Sequence, residues 1–142
     1  MIDQEKIREL IRKALEARQR AYVPYSHFQV GAALLCGDGR IFGGCNIENS
    51  SYGAANCAER TAFFRAVYEG ERDFAAIAIA GGPEGEDPDI CPPCGICRQV
   101  MAEFCDLQEF MIILARNENE YETYRLTELL PQAFTPDSLL KR

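Results

Sequence analysis

With 142 residues and 47% hydrophobic side chains, the chain is long enough to bury a real core and reads as one domain over 1–142. A net charge of −7, with no dense tract of Lys and Arg, argues against a nucleic-acid polymer as partner, because a phosphate backbone calls for a basic surface. No apolar run approaches the length of a membrane span, and charges stand early in Met1-Ile2-Asp3-Gln4-Glu5-Lys6, where a secretion signal needs an apolar stretch.

Helical periodicity opens the chain. Ile7, Leu10, Ile11, Ala14 and Leu15 recur on one face, Asp3 can cap the helix, and Ile2 with Ile7 can form a hydrophobic staple. Arg12, Lys13, Arg18 and Arg20 crowd its second half, where the helix dipole favours cations, and Pro24 is expected to end it. Two strand-like runs follow, Phe28 to Cys36 and Ile41 to Ile47, joined by the turn Gly37-Asp38-Gly39 as a hairpin. A second helix is expected from near Cys57 to Gly70, burying Ala62, Phe63, Ala66 and Val67. Ala75 to Ala80 is a short continuous apolar run, as in a strand covered on both faces. Residues 81–93, rich in Gly, Pro and acid, read as a surface loop. A third helix is expected over Gly95 to Phe104, with Cys97, Val100, Met101 and Phe104 on one face, followed by strands at Phe110 to Ala115 and Tyr121 to Leu126. The order implies an α/β fold: a five-stranded mixed sheet with helices packed on its faces. Phe28, Phe63, Phe64, Phe74, Phe104 and Phe110 are core candidates by default.

The chemistry is concentrated in Cys57-Ala58-Glu59 and Pro93-Cys94-Gly95-Ile96-Cys97. Three thiolates can hold one Zn²⁺ and leave its fourth tetrahedral position open, the arrangement of a catalytic rather than a structural site. Glu59 then remains beside the metal as a carboxylate that is not needed as a ligand and can carry protons. The pattern resembles the signature of zinc deaminases, Cys (or His)-x-Glu followed by Pro-Cys-x-x-Cys, which points to hydrolytic deamination of a nucleobase. Cys57 and Cys94 both fall at helix starts, where free N–H groups favour a thiolate. Three thiolates with Zn²⁺ leave a net negative charge, and Arg60, on the same side of the helix as Cys57, is expected to tune it by donating hydrogen bonds to sulfur.

Blander readings compete with this one. Cys91 completes a Cys-x-x-Cys-x-x-Cys run and, with Cys57, could close a structural four-sulfur site. An iron–sulfur cluster fits less well, since Met101 and Ala102 stand where a fourth Cys and Pro are expected. Cys36, Cys45 and Cys105 read as small core residues. Seven cysteines, an odd number with no secretion signal, argue against a disulfide framework and for a reducing cytoplasm in which thiols stay free for metal. His27, the only histidine, could be a base, but Tyr25 and Ser26 beside it suggest a polar loop position.

Asn46-Ile47-Glu48-Asn49-Ser50-Ser51-Tyr52-Gly53 with Cys57-Ala58-Glu59-Arg60 resembles the tetrameric class of cytidine deaminases. Pro24-Tyr25-Ser26, the stretch Phe28 to Ala33, Pro93-Cys94-Gly95-x-Cys97-Arg98-Gln99 and Leu129-Leu130-Pro131-x-x-Phe134 are similar in the same order. Ala54-Ala55, Pro92 and Ile96 depart from that family's usual residues, but they flank the site rather than occupy it. The resemblance implies a three-layer sandwich and one Zn²⁺ per subunit on Cys57, Cys94 and Cys97, with Glu59 as the catalytic proton carrier. It assigns substrate contacts to Phe28 against the pyrimidine, Asn46 and Glu48 on the ribose hydroxyls, and the backbone at Ala58 and Cys94 on the base edge. Phe134 would come from a neighbouring subunit of a homotetramer. The implied substrates are free cytidine and deoxycytidine in pyrimidine salvage. A nucleotide is less suitable, since no basic cluster near Asn46 or Glu48 offers a phosphate pocket.

Overall fold

The computed structural model describes residues 2–140, so Met1, Lys141 and Arg142, the ends of the expected domain, lie outside the described residues. Helix α1 (Gln4–Arg18) begins where the Asp3 carboxylate accepts the Lys6 N–H at 2.9 Å, and it buries Ile7, Leu10, Ile11 and Ala14. It stops at Arg18, well before Pro24, because the chain turns at Gln19 and then pairs Tyr22 with Ile47. Strands β1 (Phe28–Cys36) and β2 (Ile41–Cys45) form the expected hairpin. Helix α2 (Ala58–Tyr68) leads to β3 (Phe74–Pro83), and α3 (Gly95–Phe104) carries the chain over to β4 (Met111–Asn117). Strand β5 (Glu120–Arg125) and two short helices, α4 (Leu126–Leu129) and α5 (Pro136–Leu140), complete it.

The sheet order is β2-β1-β3-β4-β5, antiparallel except where β3 and β4 run parallel. That one parallel pair needs a crossover, and α3 supplies it. Strand alternation sorts the core into two layers. Ala33, Leu35, Ala76, Ala78, Ala80, Ile113 and Ala115 face α1, and their mostly small side chains let that helix lie close. Leu34, Ile77, Ile79, Ile112 and Leu114 face α2 and α3, where Phe63 packs within 5.2 to 6.2 Å of the rings of Phe74, Phe104 and Phe110. The result is the helix–sheet–helix sandwich expected from the sequence.

Two glycines set how near the helices come. A Cβ at Gly31 would overlap the Ala14 carbonyl, and one at Gly44 would overlap the backbone of Ala58 and Ala62. The second contact seats the first turn of α2 directly on β2.

Several local expectations are corrected. Strand β2 ends at Cys45 rather than Ile47, because the Asn46 side chain takes over the ladder, donating to the Phe28 carbonyl and accepting the Val30 N–H, both at 2.9 Å. Strand β3 continues to Pro83, with Gly81, Gly82 and Pro83 pairing opposite Val30, Gln29 and Phe28, so its last residues are ladder rather than loop. Phe64 is half exposed on the outer face of α2, whereas its neighbour Phe63 is fully buried. Val67, Val100 and Phe104 pack at the edge of the core. The sequence reading did not anticipate α4 and α5; α4 owes its start to the Glu128 carboxylate, which accepts the Arg125 N–H at 2.8 Å.

Candidate metal centre and its surroundings

The N-termini of α2 and α3 meet at one point. Cys57 is the N-cap of α2 and Cys94 the N-cap of α3, where the Cys94 sulfur accepts the Cys97 N–H at 3.5 Å. Sγ of Cys57 lies 3.7 Å from Sγ of Cys94, and the sulfurs of Cys57, Cys94 and Cys97 all fall within 4.8 Å of one another. A tetrahedral zinc with bonds of about 2.3 Å holds its sulfurs about 3.8 Å apart, so the spacing and the soft donor set both suit Zn²⁺. Cys97 is buried, Cys57 partly buried and Cys94 exposed, which leaves the group open on one side. Hydrogen bonding from the Cys97 thiol, helped by Arg60 and Cys94, brings the Cys57 thiol down to about 5, while sharing that proton and burial push Cys97 up. Cys57 is therefore prepared to give up its proton to a metal.

Arg60 approaches from one turn along α2, and its Nη2 donates to the Cys57 sulfur at 3.3 Å. Burial opposes its charge, but hydrogen bonds to Cys57 and Cys97 outweigh that and hold the guanidinium protonated. Its Nε is buried and has no hydrogen-bond partner among the described residues, while its hydrogen bonds go to the sulfurs.

Glu59 is only 4% exposed. Burial first, and then the Cys57 thiolate, push its carboxyl up to about 7, where a carboxyl exchanges protons readily near neutrality. Ala58, fully buried in the same first turn, carries one of the backbone N–H groups without an intrahelical partner.

The sulfur of Cys91 is outside the three-thiol group. It packs on β3, where a Cβ at Gly81 would lie 2.8 Å from it, and burial raises its thiol to about 11. A second cluster, Cys36, Asp38 and Glu71, lies at the far end of β1. There the Arg40 guanidinium lies 4.0 Å from Glu71 and 3.6 Å from Glu69, and the Arg40 backbone N–H donates to Asp38.

Of the residues expected to contact substrate, Phe28, Asn46 and Glu48 gather around the start of β1, whereas Ala58 lies in the first turn of α2 and Phe134 beside α3. Oε1 of Glu48 accepts the N–H groups of Tyr25 and Ser26 at 3.0 and 3.1 Å, and Oε2 accepts the Ser26 hydroxyl. The Ser26 hydroxyl bond and these amides keep the Glu48 carboxyl below the ordinary carboxylate range. The same hydroxyl oxygen accepts the Phe28 N–H at 3.0 Å, so Glu48 and Asn46 together orient the strand that presents the partly exposed Phe28 ring. Each keeps hydrogen-bonding capacity for a sugar hydroxyl. His27 sits in this turn with φ 56°, its exposed ring 3.5 Å from Glu84, in a loop role. Phe134 is more than half exposed, and its carbonyl is held by Gln99 of α3 at 2.8 Å.

Sequence reasoning missed two arginines. Arg98 ties the turn before Cys94 to α4, donating to Pro93 O at 2.8 Å and Leu129 O at 2.7 Å. Arg18, expected as one of the cations favoured by the dipole in the second half of α1, stands in its last turn and is buried. Its place four residues after Ala14 and seven after Ile11, on the buried stripe of α1, was the available signal.

Residues 4–114 match the family described as the cytidine and deoxycytidylate deaminase zinc-binding region. The chain is 50% identical over 130 residues to a cytidine deaminase from Halalkalibacterium halodurans, covering 92% of this chain and 95% of that one. It is 49% identical to a cytidine deaminase from Sporosarcina psychrophila, over 94% of each chain. The crystal structure of a cytidine deaminase from Burkholderia pseudomallei superposes with a TM-score of 0.79 at 47% identity, covering 89% of this chain and 97% of that one.

Proposed function

This chain belongs to the cytidine and deoxycytidylate deaminase family, and we propose that it hydrolyses the C4 amino group of free cytidine and deoxycytidine, giving uridine or deoxyuridine and ammonia. The observation that carries this reading is the three-thiol cluster with the buried Glu59 beside it. Cys57, Cys94 and Cys97 hold one Zn²⁺ per subunit, which supplies Lewis-acid chemistry and makes a water acidic enough to react near neutral pH. Arg60 offsets the excess negative charge of three thiolates.

Glu59 does the proton work. It accepts a proton from the attacking water and delivers it to ring N3, which makes C4 electrophilic. It then carries the second proton to the amino nitrogen, which departs as ammonia. One water is consumed and one ammonia released, so the atoms balance without a further reactant. Phe28 packs on the pyrimidine, the Ala58 N–H meets the base edge, and Asn46 and Glu48 take the sugar hydroxyls. A 5′-phosphate would meet the Glu48 carboxylate without a cationic cluster to offset it, which favours the free nucleoside.

We place the reaction in pyrimidine salvage within the cytoplasm, where seven free cysteines stay reduced. Among the described residues no helix is long and apolar enough to cross a membrane. The exposed rings of Tyr52, Phe64, Tyr68 and Phe134, with Ile96, offer apolar surface that a homotetramer would cover. In that assembly Phe134 of one subunit closes over the pyrimidine of the next. Light scattering should give four times the 15.9 kDa chain mass, and Phe134→Ala should raise KM with zinc unchanged. A fully active monomer would overturn this arrangement.

The direct test mixes zinc-loaded protein with cytidine and follows the ultraviolet change together with ammonia release. Conversion in step with ammonia is expected. A folded, zinc-containing tetramer that leaves cytidine untouched would refute the substrate and redirect the search to other amino-pyrimidines.

A further inference from the structure

Arg18 is a buried cation with no acid to neutralise it among the described residues. It is 4% exposed, and its guanidinium faces only backbone carbonyls. Nε donates to Gln29 O at 3.0 Å, and Nη2 to Gly82 O at 2.9 Å, Pro83 O at 2.8 Å and Glu86 O at 3.0 Å. Removing a charge from water is costly unless hydrogen bonds replace the lost hydration, and here four carbonyls replace it.

The four carbonyls come from the start of β1, the end of β3 and the connection that follows it. Gln29 adjoins Phe28 at the start of β1. Gly82 and Pro83 end β3, and Glu86 lies in the connection that runs on to Pro93 and Cys94. The same region is tied across by Glu84 N–H to the His27 carbonyl at 2.7 Å and Asp89 N–H to the Gly81 carbonyl at 2.9 Å. Room for the fork is built into the neighbouring sequence. A Cβ at Gly31 would overlap the Arg18 backbone N–H, and one at Gly82 would press on Nη2 at 3.3 Å.

We propose that Arg18 is a positioning residue for the deamination, its fork fixing the Phe28 end of β1 against the connection that delivers Cys94. It touches neither substrate nor metal and acts through the spacing between the ring that packs on the pyrimidine and the thiol cluster. The role needs arginine: a planar guanidinium spreads its donors over several carbonyls, whereas a lysine ammonium concentrates them at one point. The proposal rests on the deaminase reading for its substrate readout.

The test compares Arg18→Lys and Arg18→Gln with the parent, all zinc-loaded, measuring zinc content, cooperative melting, and kcat and KM for cytidine. Both variants should keep one zinc per chain, raise KM about tenfold and leave kcat within about threefold, the pattern for binding lost equally from ground and transition states. Lys should fall nearer the parent than Gln. Adding methylguanidinium to Arg18→Ala should lower its KM again. A KM unchanged in folded, zinc-loaded variants, with only the melting temperature reduced, would show a purely structural role, as would failure of every variant to fold. An inactive parent would refute the deaminase reading and this role together; an active parent with unaffected variants refutes Arg18 alone.

Discussion

A Glu59→Gln variant is expected to bind zinc as the parent does and to lose nearly all turnover. The substitution preserves volume in a site that is only 4% exposed, so neither packing nor the thiol cluster is disturbed. It removes the one carboxyl that can accept and return protons beside the cysteines. A positioned general acid–base is typically worth about 10² to 10⁴ in rate, and here the same group serves two transfers, so the loss should reach the upper end. Metal content by atomic absorption and initial rates of cytidine loss check this. The melting temperature should stay level or rise, because a buried carboxyl raised to about 7 beside the Cys57 thiolate is no asset to the folded state. Substantial residual turnover in a zinc-loaded variant would remove Glu59 from the proton path.

Cys57→Ser should lose both metal and activity. The Cys57 sulfur is the centre of the cluster: it lies 3.7 Å from Cys94 and receives Arg60, so the change removes a ligand and one of the sulfurs that the guanidinium holds. Metal that binds only the folded chain stabilises it by about 4 kcal/mol when free metal exceeds its Kd a thousandfold, so losing it should lower Tm by roughly 10 °C. A strong chelator acting on the parent should produce a similar drop, and Cys57→Ser should show little further response to it. A variant that retains stoichiometric zinc and its stability would contradict the three-thiol assignment.

Local patterns made much of the fold legible. Asp3 and the spacing of Ile7, Leu10, Ile11 and Ala14 announce α1, and the apolar run at Ala75 to Ala80 announces a covered strand, because caps and periodicity act over one or two turns. The same reasoning misplaced ends. Pro24 looked like the terminator of α1, but the helix stops at Arg18, where the chain leaves to pair with residues from Asn46 to Glu48. Gly81, Gly82 and Pro83 read as loop, yet β1 alongside supplies their partners. Phe63 and Phe64 are equivalent in composition, and only the contact of α2 with the sheet separates the buried ring from the exposed one.

By itself the sequence determined the chemistry available. Cys57, Glu59, Cys94 and Cys97 carry a metal-binding and proton-transfer signature in residue type and short spacing, which survives without coordinates. The tertiary structure decided what each group is free to do. It gathers three of the seven sulfurs and leaves Cys91 packed on Gly81. It engages Asn46 and Glu48, expected as ribose contacts, in holding the start of β1, and it turns Arg18 inward onto four carbonyls. The reason is physical: a side chain's donor count is written in its identity, but the acceptors it meets belong to segments distant in sequence, and only packing brings them within reach.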